Sequence, residues 1–339
     1  MSRATLKDVA AHAGVSHQTV SNVLNDHPSI RPAMRERVLY SIEALDYHPN
    51  MAAKALRESR ITTLCCVFYN HRAEELEDPY RNLIQSAFIF ETQARGYAMT
   101  TAFLDSTQPA SFENLRRAYM QRQIAGAVVV GTYLNAREMG VLSQWGLPSV
   151  LFDNVISDLR LPTVTADYAG GMAAMVRRHI EQGRTRLTLV IPQHDQGSTA
   201  VERRRGFAEA MDTLGLEPQV VNSDWSFESG ERAFLEVWKG GKKRKERPDA
   251  VLCGNDRMAA GALHAARLLG LRVPEDVAIS GFDDFEFARY TAPSLTTAKV
   301  PYVAMAQQAV RTLLERLENP DSPVQTRSLP ISLVIRESA

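Results

Sequence analysis

The stretch Gly14–Asn25, GVSHQTVSNVLN, places an uncharged polar surface on what its spacing predicts to be a short helix. Apolar residues recur at helical spacing along one side, which is typical of a stripe packed against a core, and they are Val20, Val23 and Leu24. The opposite side carries only neutral hydrogen-bonding side chains, namely His17, Gln18, Ser21, Asn22 and Asn25. Such a face is either idle in solvent or serves a partner that neutral donors and acceptors recognise.

Predicted helices before and after this stretch complete a small helical domain. Thr5 begins a capping-box pattern at the start of the first helix, and Gly14 is suited to end it. Pro32 suits the first turn of a third helix, whose buried stripe includes Val38 and Ile42. Two short helices across a tight turn, supported by a third, predict a helix-turn-helix domain. Its second helix would enter the major groove of DNA, where amides and hydroxyls match base edges and charges favour phosphates.

Five motifs in this region resemble the lactose repressor/galactose repressor (LacI/GalR) family of bacterial transcription regulators. They are TLKDVA at 5–10, AGVS at 13–16, TVS at 19–21, VLN at 23–25 and YHPN at 47–50. The resemblance implies double-stranded operator DNA as a partner and continues over essentially the whole chain.

The resemblance also implies roles for individual residues. Bases would be read by His17, Gln18 and Asn22, and phosphates would be held by Thr5, Ser16, Thr19, Ser21 and Asn25. The further DNA contacts that it implies are Leu6, Tyr47, Asn50, Ala53 and Leu56. Asn22 stands where the family often has arginine, which favours adenine over guanine as its base. Arg31 stands where the family often has a capping serine, so the third helix lacks that start signal.

A short segment connects this domain to the rest of the chain. The stretch Pro49–Glu58 is rich in good helix formers, but a helix of this length is marginal in water unless something packs against it. Asn50, Ala53 and Leu56 match the Asn-x-x-Ala-x-x-Leu hinge of the family, which implies that Leu56 wedges open the minor groove of the operator. The alternative is a plain linker helix with Leu56 buried against the core.

From residue 61 onward, strand-sized apolar runs alternate with amphipathic helices. The predicted strands are Leu64–Tyr69, Ala98–Phe103, Ala127–Val130, Ser149–Phe152, Leu187–Ile191, Ala250–Cys253 and Val277–Ser280. This alternation predicts an α/β architecture of parallel sheets with helices on both faces. There are too many units for one small sheet, so we expect two subdomains with a ligand cleft near the carboxyl ends of their strands.

The family resemblance implies a periplasmic-binding-protein-like core and divides the chain into three parts. These are an all-α helix-turn-helix domain (1–48), a hinge helix or linker (49–60), and an effector-binding and dimerisation core (61–339). The chain is expected to cross between the two subdomains near Thr165, Ala292 and Gln325. The N-subdomain would span about 61–164 and 294–324, and the C-subdomain about 165–293 and 325–339.

Polar side chains at predicted strand ends mark the expected cleft. Asp153, Asn255 and Asp283 each follow an apolar strand, while Arg203 lies early in a helix and Trp225 in a loop. An arginine fork, side-chain acceptors and one aromatic face suit a sugar or sugar acid. Taken singly, a strand-end aspartate often caps the next helix and a tryptophan is often core. The resemblance supports the set as effector-binding residues and adds Asp78, Tyr80 and Thr199.

Composition excludes several classes of protein. The chain has 39 Lys+Arg and 39 Asp+Glu residues, so the case for DNA depends on particular side chains and not on net charge. No Cys/His spacing suggests a metal, and we interpret Cys65, Cys66 and Cys253 as small buried side chains, the first two on opposite faces of one strand. No apolar run is long enough for a membrane span and no secretion signal is visible, which predicts a cytoplasmic bacterial protein, nucleoid-associated when it occupies its operator.

Other interpretations stay open at this point. Asp283 and Asp284 could form an acid/base pair in a sugar-binding enzyme, but neighbours that leave a strand tend to point to opposite sides, and no catalytic, cofactor or phosphate-loop motif is present. The effector could be a nucleobase or a phosphoprotein. The basic run Lys239–Arg247 could be a second nucleic-acid patch, although such runs are usually solvated loops. We predict a homodimer without catalytic residues, metal or cofactor, and without the heptad tail that would support a tetramer.

Overall fold

The computed structural model describes residues 4–24, 26–47, 61–70, 78–131, 136–154, 161–193, 199–241 and 247–339. The chain forms two compact units, the head (Met1–Ile61) and the core (Thr62–Ala339). Four residues with an expected role in DNA binding lie outside the described residues, and they are Asn25, Asn50, Ala53 and Leu56.

The described residues of the head contain three helices, which are α1 (Leu6–Ala13), α2 (His17–Leu24) and α3 (Pro32–Ala44). The predicted capping box is present, since Asp8 N donates to Thr5 Oγ1 at 3.3 Å and Thr5 N donates to Asp8 Oδ2 at 2.7 Å. Gly14 ends α1 at a φ of 61°, which glycine adopts without steric cost. Arg31 precedes α3 without a side-chain capping bond. The apolar faces of the helices meet in one small cluster of Val9, Ala10, Ala13, Val20, Val23, Val38 and Tyr47.

The first subdomain of the core is a parallel sheet flanked by helices. Its strands are β1 (Thr63–Tyr69), β2 (Ala98–Leu104), β3 (Gly126–Val130), β4 (Ser149–Phe152), β5 (Thr163–Ala166) and β11 (Thr326–Leu329), in the order β11–β5–β4–β3–β1–β2. The helices of this subdomain are α4 (Pro79–Gln93), α5 (Pro109–Met120), α6 (Ala136–Gln144) and α11 (Tyr302–Glu318). Cys65 and Cys66 lie in different apolar clusters, so β1 is covered on both faces, as the sequence predicts.

The second subdomain repeats this arrangement. Its strands are β6 (Leu187–Pro192), β7 (Gln219–Ser223), β8 (Ala250–Cys253), β9 (Ala278–Asp283), β10 (Thr296–Lys299) and β12 (Ser332–Val334), in the order β12–β10–β9–β8–β6–β7. Only β12 runs antiparallel to its neighbour. The helices are α7 (Tyr168–Glu181), α8 (Thr199–Thr213), α9 (Phe227–Gly240) and α10 (Asp256–Leu268), with a 3₁₀ turn at Glu286–Arg289. All seven predicted strands are therefore confirmed. In the part of the chain that the structure describes, no helix has the length and apolar character of a membrane span.

Two of the expected crossings between the subdomains were misplaced. The chain leaves the first sheet after β5, close to Thr165 as expected. However, β10 pairs with β9 and lies in the second sheet, although residues from 294 were assigned to the first subdomain. Likewise β11 pairs with β5 and lies in the first sheet, although residues from 325 were assigned to the second. The sequences TTAK and TRSL of these strands contain no apolar run, so nothing in the local pattern marked them.

Glycines set the distance between the helices of the second subdomain. A Cβ at Gly230 of α9 would lie 2.1 Å from Met258 O, and one at Gly261 of α10 would lie 2.0 Å from Phe227 O. Both distances are far below van der Waals contact, and the obstacle is backbone that cannot rotate away. The backbones of α9 and α10 therefore touch because neither glycine has a side chain.

We expect Gly230→Ala to lower the free energy of unfolding by about 1–3 kcal/mol, because an added methyl group forces the two helices apart. The matched control is Gly240→Ala at the end of α9, where an added Cβ meets nothing within 4 Å among the described residues. That change is expected to be neutral or to stabilise the chain by up to about 1 kcal/mol. Urea unfolding of both variants checks the pair, and equal stabilities would contradict the packing argument.

Candidate functional site

The exposed face of α2 carries a pair of joined amides. Gln18 Nε2 donates to Asn22 Oδ1 at 2.9 Å, one helical turn apart. His17 and Gln18 are exposed, while Ser21 and Asn22 are half-buried. The pair keeps further N–H groups and a carbonyl oxygen, so it can donate and accept at the same time. This is the hydrogen-bonding pattern that an adenine edge offers in the major groove.

Other predicted DNA contacts in the head have structural roles. Ser16 caps α2 by accepting from Thr19 N at 3.2 Å, and its hydroxyl lies 2.9 Å from Thr19 Oγ1. Thr5 caps α1 from an exposed position. Tyr47 is 8% exposed in the head core, and Leu6 packs against the same cluster, so both support the helices that present the α2 face.

In the core, two aspartates at the carboxyl ends of strands form the centre of the expected cleft. Asp153 follows β4 and Asp283 ends β9, and each is 6% exposed. Asp153 accepts from the hydroxyls of Tyr168 and Tyr80, the latter at 2.7 Å. Both carboxylates thus receive hydroxyl donors, because Tyr302 Oη donates to Asp283 Oδ1 at 2.8 Å.

Arg203 is the cation of this site. Its guanidinium donates to Asp283 Oδ1 over 3.4 Å, and it is 3% exposed. Its Cζ lies 4.4 Å from the ring centroid of Phe282, 4.6 Å from that of Tyr168 and 5.3 Å from that of Trp225. Aromatic faces stabilise a desolvated cation, so the three rings supplement the long ion pair. Arg203 Nε and Trp225 Nε1 are buried and have no hydrogen-bond partner among the described residues, which leaves two donors for a ligand oxygen.

The remaining predicted cleft residues mostly organise loops. Asn255 caps α10 by accepting from Met258 N at 2.8 Å and donates to Trp225 O at 3.1 Å, so it fixes the loop that carries Trp225. Asp78 caps α4 by accepting from Tyr80 N at 3.0 Å. Thr199 is buried at the start of α8.

Three site residues were missed by the sequence reasoning, namely Tyr168, Phe282 and Tyr302. Phe282 immediately precedes Asp283 and lies two residues beyond the predicted strand Val277–Ser280, whereas the observed strand β9 includes it. Each tyrosine is the first residue of a helix, after the capping Asp167 in one case and after Pro301 in the other. These helix starts could have been found from the caps, but the tyrosines' partners could not, because 15 and 19 residues separate them from the aspartates they bind.

The backbone that carries Asp283 is strained and braced from behind. Asp283 and Asp284 have φ values of 119° and 60°, which are unfavourable for residues other than glycine. Asp256 lies under this turn and accepts from Phe285 N at 2.9 Å and from the Thr297 hydroxyl at 2.6 Å. Asp284 turns away from the cleft to Arg336, so the two neighbouring aspartates point to opposite sides, as expected.

Burial dominates the titration of these acids. It raises the pKa of Asp153, which the Tyr168 and Tyr80 hydroxyls and the Arg203 charge oppose. It also raises the pKa of Asp283, where Arg203 acts in the opposite direction. For Asp256, burial raises the pKa to about 7, against hydrogen bonds from Thr297 and Phe285 that lower it. These carboxyl groups therefore stay protonated to a higher pH in the folded core than in the unfolded chain.

We expect the contribution of Asp256 to the free energy of unfolding to fall as the pH rises from about 4 to 7. Because the pKa of Asp256 is higher in the folded state, its stabilising contribution is complete below the unfolded value and is lost as the pH passes the folded one. One such group contributes at most about 1.4 kcal/mol per pH unit. Asp256→Asn removes this group's share, so the free energy of unfolding of the wild type minus that of the variant falls across that window and is constant above it.

Urea unfolding at a series of pH values checks this expectation, with the exposed Asp212→Asn as the control. A difference between wild type and Asp256→Asn that is independent of pH would contradict it.

Comparison with known proteins covers both units. Residues 5–50 match the model of bacterial regulatory proteins of the lacI family, and residues 176–339 match that of periplasmic binding protein-like domains. The HTH-type transcriptional repressor PurR of Photorhabdus laumondii is 31% identical over 347 residues, which cover 99% of this chain and 96% of the relative. Within the described residues, no cluster of histidine, cysteine or acidic side chains could hold a metal ion.

Two solved structures are similar over nearly the full length. The complex of the transcriptional regulator CelR with cellobiose has a TM-score of 0.74 and 28% identity, and the match covers 99% of this chain and 100% of that one. The lac repressor dimer bound to operator and an anti-inducer shares the fold, with a TM-score of 0.86, 24% identity and 99% coverage of both chains. Since the 31% identity to PurR extends over essentially the whole of both proteins, this chain belongs to the LacI/GalR family and is a transcription regulator, not an enzyme.

Proposed function

We propose that this regulator is a repressor that binds a two-fold symmetric operator as a homodimer, and that a sugar or sugar acid in the core cleft changes its affinity for that operator. The observation that carries the DNA part is the pair of joined amides on α2. The observation that supports the effector part is the buried cluster of Arg203, Asp153 and Asp283. Each part has its own experiment.

The α2 face suits base reading because its hydrogen-bonding groups are neutral and held in place. The Gln18–Asn22 bond restricts both side chains, so less rotamer freedom is lost when they meet a base pair. A bidentate amide–adenine contact discriminates against the wrong base by about 1–3 kcal/mol. We therefore assign the pair to an A·T base pair in each half of the operator, with His17 beside it.

We expect Gln18→Ala and Asn22→Ala each to weaken binding to the selected operator by about 5- to 150-fold and to relax the preference for A·T at one position per half-site. Selection of duplexes from a random pool with wild-type protein at about 150 mM salt supplies the operator, and fluorescence anisotropy measures the affinities. Gln121→Ala, the same chemical change at an exposed position of the core, is the control and leaves affinity unchanged. Failure of the wild type to select any duplex would refute the proposal.

A homodimer is supported by apolar side chains at one edge of the first subdomain. Leu83 and Phe90 of α4 are 37% and 73% exposed, and Phe103 of the edge strand β2 is 49% exposed. An edge strand beside exposed apolar side chains is suited to a second copy. A two-fold dimer also matches the two half-sites of a symmetric operator.

The cleft suits a polyhydroxylated ligand because it combines acceptors, donors and aromatic faces. Asp153 and Asp283 accept hydroxyl groups already, and Arg203 Nε and Trp225 Nε1 offer donors. The similar regulator CelR was solved with cellobiose, a disaccharide, which supports a carbohydrate. A nucleobase remains a second candidate, and the same screen tests it.

We expect one member of a panel of cellobiose, maltose, glucose, galactose, gluconate, galacturonate, adenine and hypoxanthine to raise the melting temperature of the protein, because a ligand of the native state stabilises it. Arg203→Lys keeps the charge but loses the planar fork, so it should weaken that ligand about 10- to 100-fold. Arg205→Lys on the same helix is the control, since Arg205 faces solvent and pairs with Glu202 and Glu209. Equal ligand affinities in the two variants would show that Arg203 does not bind the ligand.

Linkage gives an internal check on the control of DNA binding. If the ligand changes operator affinity by some factor, the operator must change ligand affinity by the same factor. Titrations of ligand with and without operator therefore have to agree with titrations of operator with and without ligand.

A further inference from the structure

The described strands define three passages of the chain between the two subdomains, and two of them are followed at once by a tyrosine. After β5 it leaves the first sheet, and α7 begins with Tyr168 and packs on α8 of the second subdomain. After β10 it leaves the second sheet, and α11 begins with Tyr302 and packs on α4 and the strands of the first subdomain. Each tyrosine is thus the first helical residue of the subdomain that the chain has just entered.

Each of these tyrosines reaches back to the sheet that the chain has just left. Tyr168 donates its hydroxyl to Asp153, which follows β4, the neighbour of β5. Tyr302 donates to Asp283 at 2.8 Å, at the end of β9, the neighbour of β10. The two bonds are reciprocal, because one joins a helix of the second subdomain to a carboxylate of the first and the other does the reverse.

Both bonds are shielded from water and their rings are held from the sides. Tyr168 is 1% and Tyr302 is 3% exposed. The Tyr168 ring stacks on Phe282 with centroids 5.9 Å apart, and the Tyr302 ring meets Tyr80 edge-on at 5.3 Å. The packed rings cannot move freely with the opposite subdomain. A rotation of one subdomain relative to the other therefore breaks the hydrogen bond between a tyrosine hydroxyl and a buried carboxylate. Such a charge-assisted bond is stronger than a neutral one.

We propose that Tyr168 and Tyr302 are reciprocal ties that fix the closure of the ligand-free core at the two crossings that they follow. The inference concerns the regulation of the effector site and rests on the proposed function for its biological meaning. Asp153 and Asp283 are the carboxylates that a polyhydroxylated effector meets, so effector hydroxyls and tyrosine hydroxyls compete for the same oxygens. Binding of the effector and release of the ties are then one event.

Tyrosine-to-phenylalanine variants test the ties, because they remove a hydroxyl and keep the packed ring. Hydrogen–deuterium exchange of the full chain without ligand or DNA is the readout. We expect Tyr168→Phe to speed amide exchange at 163–170, and Tyr302→Phe at 296–304, by about tenfold, the equivalent of one hydrogen bond of about 1.4 kcal/mol. The double variant should also show a larger radius of gyration by small-angle X-ray scattering.

Two control variants separate a tie from an ordinary hydrogen bond. Tyr80 also donates to Asp153, at 2.7 Å, but both residues belong to the first subdomain, so Tyr80→Phe should leave exchange at the crossings unchanged. Tyr290→Phe removes a hydroxyl bond to Glu286 at the surface and should likewise change nothing there. Folding of every variant is checked by its exchange in β6 (187–192), which should match the wild type.

The proposal is overturned if Tyr168→Phe and Tyr302→Phe exchange like the wild type, if Tyr80→Phe loosens the crossings as much as Tyr168→Phe does, or if exchange rises uniformly through β6 as well. The last result would mean global destabilisation without a tie. None of these measurements involves DNA or ligand, so a wild-type protein that selects no duplex refutes the proposed function while leaving this test intact.

Discussion

A full positive charge buried in the core is the constraint on which the cluster around Arg203 depends. Arg203 is almost inaccessible to water, and its ion pair with Asp283 is long at 3.4 Å. Desolvation of a guanidinium is expensive, so the site surrounds it with three aromatic faces. Asp283 in turn needs the Tyr302 hydroxyl and a strained turn to face the cation, and Asp256 braces that turn. Arg203 therefore depends on Asp283 and the aromatic rings, and Asp283 depends on Tyr302 and on the turn that Asp256 braces.

The head and the core differ in how they use charged side chains. In the head, the α2 face avoids charge, because neutral amides such as Gln18 and Asn22 gain most from base edges and compete little for phosphates. In the core, charges are concentrated and removed from water, where they discriminate strongly among ligands. In the proposed function, one chain therefore reads DNA with weak, directional groups and reads a small molecule with a buried charged cluster.

The sequence contained most of the fold because buried parallel strands are continuous apolar runs. The seven strands found this way are four of the first sheet and three of the second, and they include β4 before Asp153 and β9 with Asp283. Strands β5, β7, β10, β11 and β12 were missed, because they have only three to five residues and either mix apolar with polar side chains or lie at sheet edges. The tyrosine–aspartate contacts could not be predicted from the sequence, because only the tertiary fold brings the end of a strand next to the start of a helix that follows a crossing.

If effector and tyrosine hydroxyls compete as proposed, the reversibility of this regulator follows from the exchange of like groups. When an effector hydroxyl replaces a tyrosine hydroxyl on Asp153 or Asp283, the number of hydrogen bonds to the carboxylate is nearly conserved, so the large desolvation energies cancel between the two states. What remains is a small difference, of the order of the 1–3 kcal/mol typical of coupling between distant sites. Strong interactions within the site can in this way leave a small free-energy difference between the two conformations of the core. A metabolite at ordinary concentration is able to shift that equilibrium.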